Sequence, residues 1–122
     1  MLLQSALKGM ERYKEALLDE KGASNPSLIS ENTHRLTQYL SSAEDCLADL
    51  EYDLELNEAK SFNNHVKDGR SANAAKELTK REFVKERATI ARTGRLVSAG
   101  WRLVSECQSR VRHLIAEANN QI

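Results

Sequence analysis

The sequence predicts an all-α protein: three helices, a short N-terminal one packed on a long antiparallel, coiled-coil-like hairpin. Three observations carry this. The chain has one Pro and five Gly in 122 residues, so few breaks are available. Aromatic residues make up only 5% and charged residues 30%, and Leu, Ala, Glu, Lys and Arg, all good helix formers, dominate. Apolar residues recur at alternating steps of three and four over long stretches, the period of helices packed lengthwise.

The first helix is expected from Leu2 to Glu20, with Leu3, Leu7, Met10 and Leu17 on one stripe. Lys21 to Pro26 should end it. Gly22 suits a C-cap, and Asn25 followed by Pro26 suits an N-cap with Pro at the first helical position. The second helix is expected over 26–67. Its seam is Leu36, Leu40, Ala43, Leu47, Leu50 and Leu54, after which the stripe shifts to Ala59, Phe62 and Val66. Asp68-Gly69-Arg70-Ser71 is the next break, with Gly69 suited to a left-handed C-cap and Ser71 to an N-cap. The third helix is expected over 72–119, with a seam of Val97, Trp101, Val104, Gln108, Val111, Ile115 and Ala118. It would span roughly 70 Å at about 1.5 Å per residue. Gly94 and Gly100 lie inside it and suggest a kink or a close helix contact.

The short turn at Gly69 makes the second and third helices antiparallel, so opposed residues have numbers summing to about 138. The first helix folds back along the second. This levels Met10, Leu36, Leu40, Trp101 and Val104 in a three-helix core, and leaves the hairpin between about 51 and 88 as a two-helix arm. Residues 1–122 form a single helical domain in this reading.

The net charge is zero but unevenly placed. Residues 41–58 hold seven acids and no base, whereas residues 60–102 hold eleven bases and four acids. A basic run of this kind suits nucleic acid. The pairing rule also sets 41–58 against 80–97, so charges of opposite sign can fix the register of the hairpin. The bases left for a partner are Lys67, Arg70 and Lys76 at the tip, and Arg81 and Lys85 beyond it. Phe62, Val66 and Phe83 fall on the arm. They either pack across the hairpin or form an oligomer or partner surface.

No catalytic, cofactor or metal site is expected. His34, His65 and His113 lack a ligand at helical spacing, and there is no Glu-x-x-His pair on inward positions, no nucleophile elbow and no Gly-rich phosphate loop. Cys46 and Cys107 fall at different levels and are expected as free thiols. Trp101 is expected in the core rather than as a base-stacking platform. Neither a signal peptide nor an apolar run of about 20 residues is visible, which suggests a cytoplasmic protein without membrane contact.

Residues from about 40 to 121 resemble small helical proteins of temperate-phage gene blocks for recombination and DNA replication. The resemblance rests on Ala59-Lys60-Ser61-Phe62, on Gly69-Arg70-Ser71 with Ala74-Ala75, on Lys80-Arg81-Glu82-Phe83, and on Trp101-Arg102 leading into Arg110 to Ile115. It implies a non-enzymatic accessory factor acting beside annealing or strand-exchange proteins, with no catalytic residues to carry over. The expected partners are therefore single-stranded DNA or a recombination or replication protein, together with further copies of the chain in a homo-oligomer. The alternative is a protein-interaction module that inhibits a host enzyme or defence complex without touching nucleic acid.

Overall fold

The computed structural model describes residues 1–19 and 24–120. Among these residues it is all-helical, with four helices: α1 (Leu3–Leu18), α2 (Pro26–Lys67), α3 (Ala72–Glu82) and α4 (Val84–Asn120). Asp19 is the C-cap of α1; the expected continuation to Glu20 and the Gly22 cap lie outside the described residues.

Helix α2 begins and ends where local chemistry dictates. The Asn25 side chain accepts from the backbone N–H groups of Ser27 and Leu28, at 3.1 and 3.2 Å, and Pro26 needs no partner at the first helical position. At the far end Gly69 has φ +93°, a conformation costly for any residue with a Cβ, which lets the Gly69 and Arg70 N–H groups reach back to the carbonyls of Val66 and His65. The Ser71 hydroxyl then caps α3 by accepting from the Ala74 N–H at 3.2 Å. Over its 42 residues α2 rises about 63 Å and forms the spine of the molecule.

The expected single helix over 72–119 is two helices. The interruption is at Phe83 (φ −113°, ψ 22°), not at either glycine. Arg87 holds the break open. Its guanidinium donates to the carbonyls of Lys80 (2.9 Å) and Thr79 (3.4 Å) in the last turn of α3, while its Nε donates to Glu58 across the hairpin at 3.0 Å. A cation at a helix C-terminus is favourable, and the fork of a guanidinium can serve carbonyls and a carboxylate together. Arg87→Ala should therefore cost about 1–2 kcal/mol in urea unfolding, a charged hydrogen-bond loss reduced by partial exposure. Loss within the range of an ordinary surface change, about 0.5 kcal/mol, would show that the break stands without it.

The core lies at the base, where α1, α2 and α4 from about Val97 onward meet. Ala6, Met10, Leu17, Ile29, Leu36, Leu40, Ala43, Val97, Val104 and Cys107 are buried there. Gly9 lets α1 approach until the Tyr39 ring occupies the place of a Cβ, and Tyr39 stacks on Tyr13 with ring centroids 5.8 Å apart. Two expectations about α4 need correction. Trp101 is only half-buried, and the residue turned onto Leu40 is Gly100. Gln108 and Ile115 are exposed, and the inward seam is Thr93, Val97, Gly100, Val104, Cys107, Val111 and Leu114. Cys46 and Cys107 are free thiols, and burial pushes the Cys107 thiol up from its ordinary value.

Candidate binding surfaces of the helical arm

The tip of the arm is tied together by a chain of polar side chains. Ser61 Oγ donates to Glu82 Oε2 at 2.5 Å, and His65 Nε2 lies 2.6 Å from Glu82 Oε1. Arg70 Nη1 reaches His65 Nδ1 at 2.9 Å and Asp68 Oδ2 at 3.3 Å. A guanidinium can only donate, so Nδ1 of His65 is the acceptor and Nε2 carries the proton offered to Glu82. The Ser61 hydroxyl is committed to Glu82 rather than to the imidazole, so the trio does not have the geometry of an activated nucleophile.

The hydrogen bond from Ser61, then that from His65, hold the Glu82 carboxyl below its ordinary value, although some desolvation opposes them. A folded-state value below the unfolded one stabilises the fold above the ordinary glutamate range. That contribution is lost as pH falls through the depressed folded value. Carbon-detected NMR titration should find Glu82 titrating below a free glutamate and moving upward in Ser61→Ala. An unchanged midpoint in that variant would remove Ser61 as the leading cause.

The bases singled out in the sequence do not form one track. Lys67, Lys76, Arg81 and Lys85 are exposed and make no ion pair among the described residues, whereas Arg70 is engaged at the tip. Lys76 lines a groove of about 410 Å³ with Glu55, Ala59, Phe62, Lys80 and Arg87. Lys85 lines another, of about 320 Å³, with Leu50, Leu54, Asn57, Phe83 and Ile90. The α2 residues of these grooves lie on opposite sides of the hairpin, as the 100° step per residue requires. Phe62 and Phe83 are therefore half-buried on opposite sides, and Val66 is 44% exposed, so the three do not make a single patch.

Cross-hairpin charge pairing is sparser than the composition suggests. Among the described residues, Arg87 with Glu58 is the one ion pair between the acidic stretch 41–58 and the basic stretch 60–102. Glu44 is occupied differently, by the indole N–H of Trp101. Asp45, Asp49, Glu51, Asp53 and Glu55 remain solvated, because long exposed side chains gain little by ordering into pairs. The acidic stretch of α2 and the basic stretch of α3 and α4 thus run side by side with one ion pair between them among the described residues.

Some surface features were not singled out in the sequence. Tyr52 and Leu56 on α2 are exposed, and with Ala59 they form a second outward stripe at steps of four and three. Leu50, expected in the hairpin seam, is instead 36% exposed, and with Ile90, which was not singled out, it floors the groove beside Phe83. Period alone signals such stripes, but it does not say which of two will face the partner helix.

Among the described residues no group of three His, Cys, Asp or Glu side chains is placed to hold a metal ion, and no helix is long and apolar enough to cross a membrane. His113 meets Glu117 at 3.1 Å one turn away, and His34 meets Gln38 at 3.4 Å. Comparisons with protein-family models, with curated proteins and with solved structures give no match.

Proposed function

We propose that this chain is a non-enzymatic accessory factor in DNA recombination or replication, of the temperate-phage kind, working in the cytoplasm without a cofactor. Its arm would engage single-stranded DNA or a recombination or replication protein. The observation that supports this reading is that Lys67, Lys76, Arg81 and Lys85 stand exposed on the arm with no acidic partner among the described residues. Among the described residues no α2 acid pairs with any of them, which leaves them open to phosphate.

Binding should be weak, indifferent to sequence and steeply salt-dependent, because each neutralised phosphate of a single strand adds about 0.7 to the log–log salt slope. Replacing Lys76, Arg81 and Lys85 with Ala should flatten that slope by about 2 if all three touch phosphate. Helix content should persist, since removing exposed charge costs little. Fluorescence anisotropy with a labelled oligonucleotide at low salt measures both. Absence of binding at tens of micromolar protein would exclude direct DNA contact.

A second reading is a protein-interaction module that inhibits a host enzyme or defence complex. It is favoured by the division of the bases between two sides of the arm and by the apolar floor of the Phe83 groove. Co-purification from the natural host, with and without nuclease, separates the two: a partner retained after nuclease treatment supports the second.

A further inference from the structure

Helix α1 lies in a furrow on one side of the hairpin, and the furrow is longer than α1. The α2 side of its seat is a stripe with a spacing of seven residues. Tyr39 packs against Gly9 and Tyr13, and Cys46 Sγ donates to the Met1 carbonyl at 3.2 Å. The next two members of the stripe, Asp53 and Lys60, meet no third helix and line open groove instead. The floor there is apolar, made of Leu50, Leu54, Phe83 and Ile90, with Leu50 36% exposed. The base is a three-helix bundle, and the arm is the same bundle with the third helix missing.

We propose that this open half of the furrow is an interface closed by the arm of a second copy of this chain. The two hairpins lie antiparallel as a four-helix bundle, with the two-fold axis beside Asn57. This is a claim about self-association and stands apart from the DNA reading. Charge order along the rims selects the occupant. On α2, Asp53 lines the groove toward α1 and Lys60 lines it toward the tip; the other wall carries Lys85 and Glu86 side by side and Glu82 nearer the tip. Reversing a copy about Asn57 brings Asp53 of each chain against Lys60 of the other, so the α2 rim complements itself.

Helix α1 selects the direction. It stands on the same side of the hairpin as the groove, so a parallel copy would press α1 against α1 and hold the arms apart. A reversed copy brings each tip to the partner's Met1 and Leu2, both exposed beside the groove mouth. The interface is isologous and closed, which ends growth at the dimer.

Sedimentation equilibrium of the full chain at tens of micromolar should give a dimer, and a monomer there overturns the proposal. Position is tested by oxidative crosslinking in a Cys46→Ser background. Asn57→Cys, at the axis, should give a disulfide-linked dimer, while Glu55→Cys, on the opposite groove, should not. A dimer that crosslinks equally through Glu55→Cys, or not at all through Asn57→Cys, also overturns it. Charge order is tested by reversal: Asp53→Lys or Lys60→Asp alone should raise the dimer Kd about tenfold, and the two together should restore it to within a few-fold. Circular dichroism on each variant confirms that helix is retained. Failure of the double reversal to restore affinity would reject the antiparallel register.

Discussion

Leu40→Ala should destabilise the protein by about 3–5 kcal/mol, near the top of the range for a buried aliphatic truncation. Leu40 has no exposed surface and sits at the level where α1, α2 and α4 converge. What makes this site diagnostic is the residue it packs on. A Cβ added to Gly100 would lie 2.5 Å from Leu40 Cδ2, too close for any real contact. Gly100→Ala gains about 1 kcal/mol of helix propensity but must push a fully buried leucine aside, for a net loss of about 1–3 kcal/mol. In the double variant the new methyl enters the space that Leu40→Ala vacates. The two losses should therefore fall short of additivity by about 1–3 kcal/mol. Urea unfolding of the four proteins measures this. Additivity to within about 0.5 kcal/mol would mean that Gly100 does not rest on Leu40.

The same contact shows where sequence reasoning succeeds and where it stops. The levels of the hairpin were legible: with the turn at Gly69 located, Gly94 is expected near Glu44 and lies against Leu47, and Gly100 is expected near Gln38 and lies against Leu40. At these two glycines the error is within about one helical turn, whereas Trp101, expected level with Leu36 and Leu40, reaches Glu44. The direction each residue points was less legible. A seam chosen for bulk passes through Trp101 and Ile115. The real one passes one residue earlier, through Gly100, Cys107 and Leu114, because small residues let α4 approach α2 closely. A single-residue step turns a side chain by about 100°, so this choice moves the indole from the core to its edge. Gln108 in the bulky seam was the available warning.

Helix ends divide in the same way. Asn25, Pro26, Gly69 and Ser71 act on backbone groups a few residues away, and α2 has the bounds they imply. The break at Phe83 carries no Gly or Pro. It is held by Arg87 and by Glu58, which lies 29 residues away in sequence, a tertiary contact that no local pattern encodes. The binding surfaces follow this rule too. Composition revealed the acidic and basic stretches, but whether they neutralise one another depends on side-chain geometry, and among the described residues Arg87 with Glu58 is the one ion pair between them. The tip cluster joins Ser61 and His65 to Glu82 across the turn, and its members become neighbours only when the hairpin has closed.

Trp101→Ala is the second large effect, and its size tells what the indole is for. A tryptophan deep in a core would cost about 3–5 kcal/mol on truncation, and an exposed one about 0.5 kcal/mol. Trp101 is half-buried against the core, with its N–H donated to Glu44 across the hairpin, so about 2–3 kcal/mol is expected. Trp101→Phe should recover most of this. It keeps the apolar ring, and an exposed Glu44 returns to water at little cost. Glu44→Gln should be milder still, and should shift the emission of the single tryptophan, which makes the contact directly visible. A loss below about 1 kcal/mol for Trp101→Ala would mean that the ring contributes little to the fold. The groove it forms with Ser98, Arg102, Ser105 and Glu106 would then be the place to look for a stacked base or an aromatic partner side chain.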